Sequence, residues 1–441
     1  MRDDEATTID PATAGPTLPA QTSAAPQSMT HTRARTRVFV AVALVLAALN
    51  LRPAITSLGA LLEEVRDGLG MSGTVAGLLT SVPALCFALF GVAAPRLARR
   101  RGPGAVVCGG LAAIALGLAL RPFAGGTAVF LATSALALAG IAVGNVLMPV
   151  VVKRYFPDRV GTMTGLYSMA LSLGTALAAA ATVPVTRALG GSWRAGLGVW
   201  AVVAVVAVVP WLALVRDRSG AGTGAAPVPV AEAPVPAGPL PEAPAPAAAG
   251  RITRSRTAWA LAVYFGLQAT GAYITMGWLP QIFRDAGISA STAGVLLAVT
   301  MVMGVPLSFV LPAVAGRMRH QGGLAVGLGL FGFAGYGGLW LAPAAAPWVW
   351  AVLLGISNCS FPLALTMIGM RSRTGAGVVR LSAFTQCTGY LISIPGPILV
   401  GVLYQHSGGW DLPVAFMLAL LLPQIAAGLM AGRDRSVEDE L

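Results

Sequence analysis

Charge is what this sequence has least of: Asp, Glu, Lys and Arg make up 10% of 441 residues, with a single lysine, Lys153, and only three histidines. Soluble domains carry about 25% charged residues, so an ordinary globular surface is excluded. Cysteine is also scarce, and Cys86, Cys108, Cys359 and Cys387 show no paired spacing. Neither a disulfide framework nor a metal cluster is indicated, and buried, inert thiols are expected. The chain has no nucleophile elbow, no phosphate-loop lysine and no His/Cys/acid cluster at metal-ligand spacing. These absences argue against an enzyme and against any cofactor.

What is present is apolar and comes in blocks. Hydrophobic residues form 56% of the chain, and nearly uncharged runs recur at 38–62, 74–94, 104–120, 128–152, 161–185, 195–215, 257–279, 292–314, 322–341, 348–370, 381–403 and 412–430. At 1.5 Å per residue, each can cross a ~30 Å hydrocarbon layer as a helix. The strands of a barrel would be shorter and would alternate polar with apolar. The expected fold class is therefore an all-α membrane protein of twelve transmembrane helices in two six-helix bundles.

The net charge of +12 could suggest nucleic acid, but its distribution rejects that. If the N-terminus is inside, the inner segments hold 23 Lys plus Arg, against five in the outer loops: Arg66, Arg121, Arg187, Arg194 and Arg284. That bias predicts both termini in the cytoplasm of a cell-membrane protein. The partners expected are the lipid bilayer and a small solute, with no nucleic acid, and the chain is expected to be a monomer. The expected organisation is a disordered tail at 1–37, a first bundle at 38–215, a Pro/Ala-rich linker at 216–256, a second bundle at 257–431 and a C-tail at 432–441. The linker is Pro/Ala-rich, has no aromatic residue and cannot bury a core.

The two halves are related by a fixed offset of 217 residues. Gly70, Ser72, Gly77, Pro95 and Arg100 align with Gly287, Ser289, Gly294, Pro312 and Arg317. Parallel repeats of this kind are one of the transporter architectures, with the substrate site near the midplane between halves. Gly140 and Gly144, and the glycines of 322–341, are expected to let helices approach closely. Prolines within spans, Pro53 among them, remove backbone hydrogen bonds and should kink their helices.

Arg52 is the sharpest polar signal. An arginine inside a membrane helix costs about 2.5–3.5 kcal/mol on insertion scales, and it usually faces a cavity and a partner. All 17 acidic residues fall in tails, linker or loops, so Arg52 has no counter-ion at its own depth. An exogenous anion is the expected partner, gripped by the planar guanidinium fork. The same absence makes coupling through a midplane carboxylate unexpected. Asn50, Asn145, Tyr167, Gln268, Tyr273, Asn358, Gln386 and Tyr390 complete the set of candidate substrate-binding residues, each able to hydrogen-bond in a cavity. For each, bonding between helices is an equally good reading.

The six-plus-six pattern resembles the major facilitator superfamily, and the basic loop "GVAAPRLARRRG" (91–102) sits where that superfamily keeps its Gly-rich, Asp/Arg-containing loop. Pro95 stands there in place of an acid and Ala98 in place of a glycine, while Arg96, Arg99 and Arg100 still fit. With Arg317 of the second repeat they are candidates for gating at the inner face. "LNLRPAITSLGALL" (49–62), "GIAVGNVLMPVVVKRYFPDRVGTMTGLYSMALSLG" (140–174), "FPLALTMIGMRSRT" (361–374) and "LSAFTQCTGYLISIPGPILVG" (381–401) are similar to the cyanate/nitroimidazole transporter branch. That resemblance implies movement of a small polar or anionic solute by alternating access. A non-transporting receptor that binds a small anion in the same cavity is the alternative.

Overall fold

The computed structural model describes residues 27–220 and 252–440. Residues 1–26 of the expected tail and 221–251 of the expected linker lie outside the described residues. The described residues contain seventeen α-helices and no strand. The first half comprises α1 (Gln27–Asn50) continued by α2 (Pro53–Ala60), the short α3 (Leu62–Leu69), α4 (Gly73–Arg101), α5 (Pro103–Leu120), α6 (Thr127–Tyr155), α7 (Val160–Ala188) and α8 (Trp193–Gly220). The second comprises α9 (Arg256–Asp285), α10 (Ala290–Val302) continued by α11 (Gly304–Ala315), α12 (Gly322–Leu341), α13 (Pro347–Ser357) continued by α14 (Ser360–Met370), α15 (Gly375–Ser393) continued by α16 (Pro395–Ser407), and α17 (Asp411–Ala431). These make twelve passages. The first helix starts at Gln27, so residues 27–37 belong to its opening turns.

Eleven passages are long and apolar enough to cross a membrane by length and composition. The twelfth is α9, whose 30 residues give ample length. Its lower apolarity has a cause: Thr257, Gln268, Thr270, Thr275 and Gln281 are all buried against protein, where a polar group needs no lipid compatibility. By contrast, α8 turns Val202, Val205, Val206 and Val209 outward, as a lipid-facing helix must.

The repeat is visible in backbone chemistry. Gly70 and Gly287 both adopt left-handed conformations, with φ of 61° and 88°. Ser72 and Ser289, each two residues on, accept hydrogen bonds from Val75 N and Thr292 N and so cap α4 and α10. Close packing of glycines holds in part. Gly140 meets the Gly110 carbonyl of α5, and Gly144 takes the Leu51 side chain. In α12, Gly332, Gly335 and Gly338 touch neighbouring helices, whereas Gly323, Gly327 and Gly337 face open space.

Two arginines counted as loop charges are buried. Arg121 is 0% exposed, with one nitrogen donating to the Ala54 carbonyl at 3.1 Å and its head 5.4 Å from the Phe130 ring. Arg371 is 2% exposed and donates to the carbonyls of Ala431 and Gly432 and to the Gln321 side chain. Position in a loop says nothing about depth when the chain folds back over the helix ends.

The C-terminal segment is such a fold-back. Glu440 accepts from the Ser255 hydroxyl (2.6 Å), the Thr257 hydroxyl (2.8 Å) and the Thr257 N–H (3.0 Å) at the start of α9, and Glu438 accepts from Ser372 and Arg373 N just before α15. Burial pushes the Glu440 carboxyl up, but the hydrogen bonds from Ser255 and Thr257 outweigh it and hold the group below its ordinary 4.5. A carboxylate whose folded pKa is depressed contributes stability above its unfolded pKa and loses it as pH falls through the folded value. The strap should therefore stay closed from neutral pH down through 4.5. Glu440→Ala should lower thermal stability by roughly 1 kcal/mol, the usual cost of losing a helix cap, read as a drop in Tm at pH 7 that shrinks as the pH falls below 4.5 and the carboxylate protonates.

Candidate functional site

Four passages break near mid-depth: at Leu51–Arg52, at Met303, at Asn358–Cys359 and at Ile394. Pro53 accounts for the first, because it cannot donate to the chain behind it. Arg52 there leaves helical geometry (φ −132°, ψ −25°), and its carbonyl accepts from both Ile55 N (2.9 Å) and Thr56 N (3.2 Å). Leu51, fully buried, anchors the break against Gly144, and Arg121 holds the Ala54 carbonyl just beyond it. The Arg52 head is left half-buried, with no hydrogen bond or ion pair to any described residue.

That head faces a cavity of about 470 Å³ between the two halves. Arg52 is its one charged lining residue. Of the expected set, Gln268, Tyr273, Asn358 and Tyr390 also line it. The other four do not. Asn50 is buried and bonds back to the Leu46 carbonyl at 2.8 Å. Asn145 bonds to the Ile141 carbonyl (3.0 Å) and accepts from the Tyr167 hydroxyl (3.1 Å), a bridge between α6 and α7 behind the wall. Gln386 donates to Ser382 at 2.7 Å.

The wall also includes residues that sequence reasoning missed. Ser168, Ser172 and Thr175 of α7 line the cavity, and their i, i+4, i+7 spacing marks one helix face. That spacing was available as a signal. Met276, Met301 and Phe361 supply apolar surface and carry no signal that separates them from core.

The cavity opens toward the side that holds the termini. Its lining runs along α11 as far as Pro312 and along α14 as far as Thr366, both near the terminus-side ends of their passages. The opposite, far side is closed by backbone contact between halves. Gly59 abuts the Met276 carbonyl, its counterpart under the 217 offset. A Cβ on Gly77 would lie 2.6 Å from the Pro397 carbonyl, and one on its repeat partner Gly294 would lie 2.5 Å from the Ala179 carbonyl. Above these, Arg284 pairs with Glu63 (2.7 Å) and Glu64 (2.9 Å) across the halves, and Gln405 accepts from Thr74 N at 3.1 Å. Arg96, Arg99, Arg100 and Arg317, on the open side, are exposed and hold no hydrogen bond or ion pair with described residues. In this conformation they close nothing.

Comparison with known proteins decides the family. The model of the Major Facilitator Superfamily matches residues 38–374. The chain belongs to the major facilitator superfamily. It is 33% identical to an uncharacterized transporter, YycB, of Bacillus subtilis over 393 residues, covering 88% of this chain and 92% of that one. It is 30% identical to the 2-nitroimidazole transporter of Escherichia coli (91% and 98% covered) and 33% identical to the cyanate transport protein CynX of the same organism (85% and 92% covered). Among solved structures, the D-xylose-proton symporter superposes with a TM-score of 0.66 at 12% identity, covering 92% of this chain and 99% of that one. With its family, its fold and its transporter relatives in agreement, this member of the superfamily is a multi-pass membrane transporter.

Proposed function

We propose that this transporter moves a small polar or anionic solute, of the cyanate or nitroimidazole kind, across the cytoplasmic membrane by alternating access. Arg52 holds the solute's negative or strongly dipolar end, and Gln268, Tyr273, Asn358 and Tyr390 complete the contact surface. One observation carries the reading: an unpaired guanidinium stands at a helix break in a cavity that is shut on one side and open on the other. A half-buried cation without a counter-ion is tolerated where a ligand of opposite charge neutralises it. Chemistry on the solute is not proposed: the relatives that carry the reading are transporters, and Arg52 is joined in the cavity lining by no carboxylate or histidine.

With the Lys/Arg-rich side taken as cytoplasmic, the conformation is inward-facing, and both termini are cytoplasmic. Asn50, Asn145, Tyr167 and Gln386 then act as supports: the Asn145–Tyr167 bridge stiffens the wall against which Arg52 sits. Arg96, Arg99, Arg100 and Arg317 would close the inner side only in the opposite conformation.

The test is flux in sealed proteoliposomes. Saturable exchange of labelled cyanate or 2-nitroimidazole, competed by the unlabelled compound, is the expected result. Ligand binding with no flux in either direction would instead select the receptor reading.

A further inference from the structure

Most polar groups around the cavity are already committed. The hydroxyls of Thr175, Thr300, Ser308 and Thr366 donate to carbonyls of their own helices. Two amides differ. Gln268 of α9 is 5% exposed and its Oε1 has no partner. Asn358, at the break between α13 and α14, uses its backbone N–H on the Leu354 carbonyl at 2.9 Å, yet its side-chain Nδ2 is buried and unpaired. Leaving such groups unsatisfied costs about 1–3 kcal/mol each, so a buried amide pair of this kind calls for an explanation. Whichever way each amide is turned, the pair offers both donors and acceptors.

Size and surface limit what could use them. A three-atom anion takes up roughly the space of two waters, about 60 Å³, and would leave most of a 470 Å³ cavity unfilled. A cavity of about 150 Å³ is already enough for benzene. Phe361, Tyr273 and Tyr390 present aromatic surface to the cavity, and Tyr390 is fixed by stacking on Phe87 (5.0 Å) and edge contact with Phe265 (5.1 Å). A rigid ring is a good platform for a flat cargo.

We propose that Gln268 and Asn358 form a second, uncharged subsite that reads the hydrogen-bonding edge of a single-ring cargo whose negative end rests on Arg52. The cargo class is thus a planar aromatic or heteroaromatic compound with a carboxylate or nitro head and a ring N–H or hydroxyl away from it. Arg52 belongs to the first half and both amides to the second, so a cargo that touches both bridges the halves. This rests on the cavity being the cargo site.

The test measures binding to the purified full chain by titration calorimetry with five probes: 2-nitroimidazole, 1-methyl-2-nitroimidazole, 4-hydroxybenzoate, benzoate and cyanate. In each ring pair the member with the free N–H or hydroxyl should bind at least tenfold more tightly, about 1.4 kcal/mol. Gln268→Met with Asn358→Leu should bring that ratio near one, while Arg52→Gln weakens both members of a pair alike. A ratio near one in the unaltered protein overturns the subsite without recourse to any variant. So do binding of cyanate alone, binding of no probe, and a ratio kept in the double variant. If Arg52→Gln leaves ring binding unchanged, the failure lies in the assignment of the cavity itself.

Discussion

Arg52→Gln is expected to reduce saturable transport by about 10- to 150-fold, because hydrogen bonds to a charged group are worth roughly 1.5–3 kcal/mol. The loss should appear in the substrate concentration dependence first, since the guanidinium acts on the bound solute. Folding should survive. Arg52 has no ion pair among described residues, so its removal strands no buried carboxylate, and the penalty of breaking a buried pair does not arise. The break itself depends on Pro53 and on Leu51 seated against Gly144, which the substitution leaves in place. Arg52→Lys is a useful companion. It keeps the charge but not the planar fork, and an intermediate loss would show that bidentate geometry matters.

Gly77→Leu should abolish transport by a different route. The α4–α16 crossing has room for no side chain: a Cβ would stand 2.6 Å from the Pro397 carbonyl and 2.9 Å from the Ile398 Cα. Backbone cannot yield as a flexible side chain would, so closure of the far side is blocked and the equilibrium moves to the far-side-open arrangement. A ligand shifts such an equilibrium only by its differential affinity, which a steric wedge of several kcal/mol defeats. Spin labels at Asp67 and Ser407, both exposed on the far side, would report the change. The mean distance should be longer in Gly77→Leu than in the unaltered protein. Gly294→Leu, at the repeat-related crossing, should behave in the same way, and a normal flux in either variant would show that this seal is not part of the cycle.

Legibility in the sequence followed the strength of the physical signal. Length and apolarity place eleven of the passages, because the bilayer sets both, and the offset pairing Gly70 with Gly287 and Ser72 with Ser289 reads off a turn and a cap that recur in the backbone. The place of Arg52 beside a cavity was legible for a related reason: a permanent cation inside a membrane helix usually faces a cavity. The uncharged candidates were not separable. Asn145 and Gln386 look like Asn358 and Gln268 in sequence, and only packing shows that the first two satisfy themselves within the protein. Arg121 shows the opposite limit. Next to a loop it reads as a surface charge, yet it is buried under α2 and supports the segment after the break, a relation across 67 residues that no local pattern encodes. The far-side latch of Arg284 with Glu63 and Glu64 was equally hidden, since its partners lie in different halves.

The most direct measurement is an experimental density map of the protein saturated with 2-nitroimidazole. The nitro oxygens should lie within hydrogen-bonding distance of the Arg52 guanidinium, inside the cavity bounded by Gln268, Asn358 and Tyr390. A guanidinium turned toward the membrane surface, or a ligand bound away from it, would contradict the account.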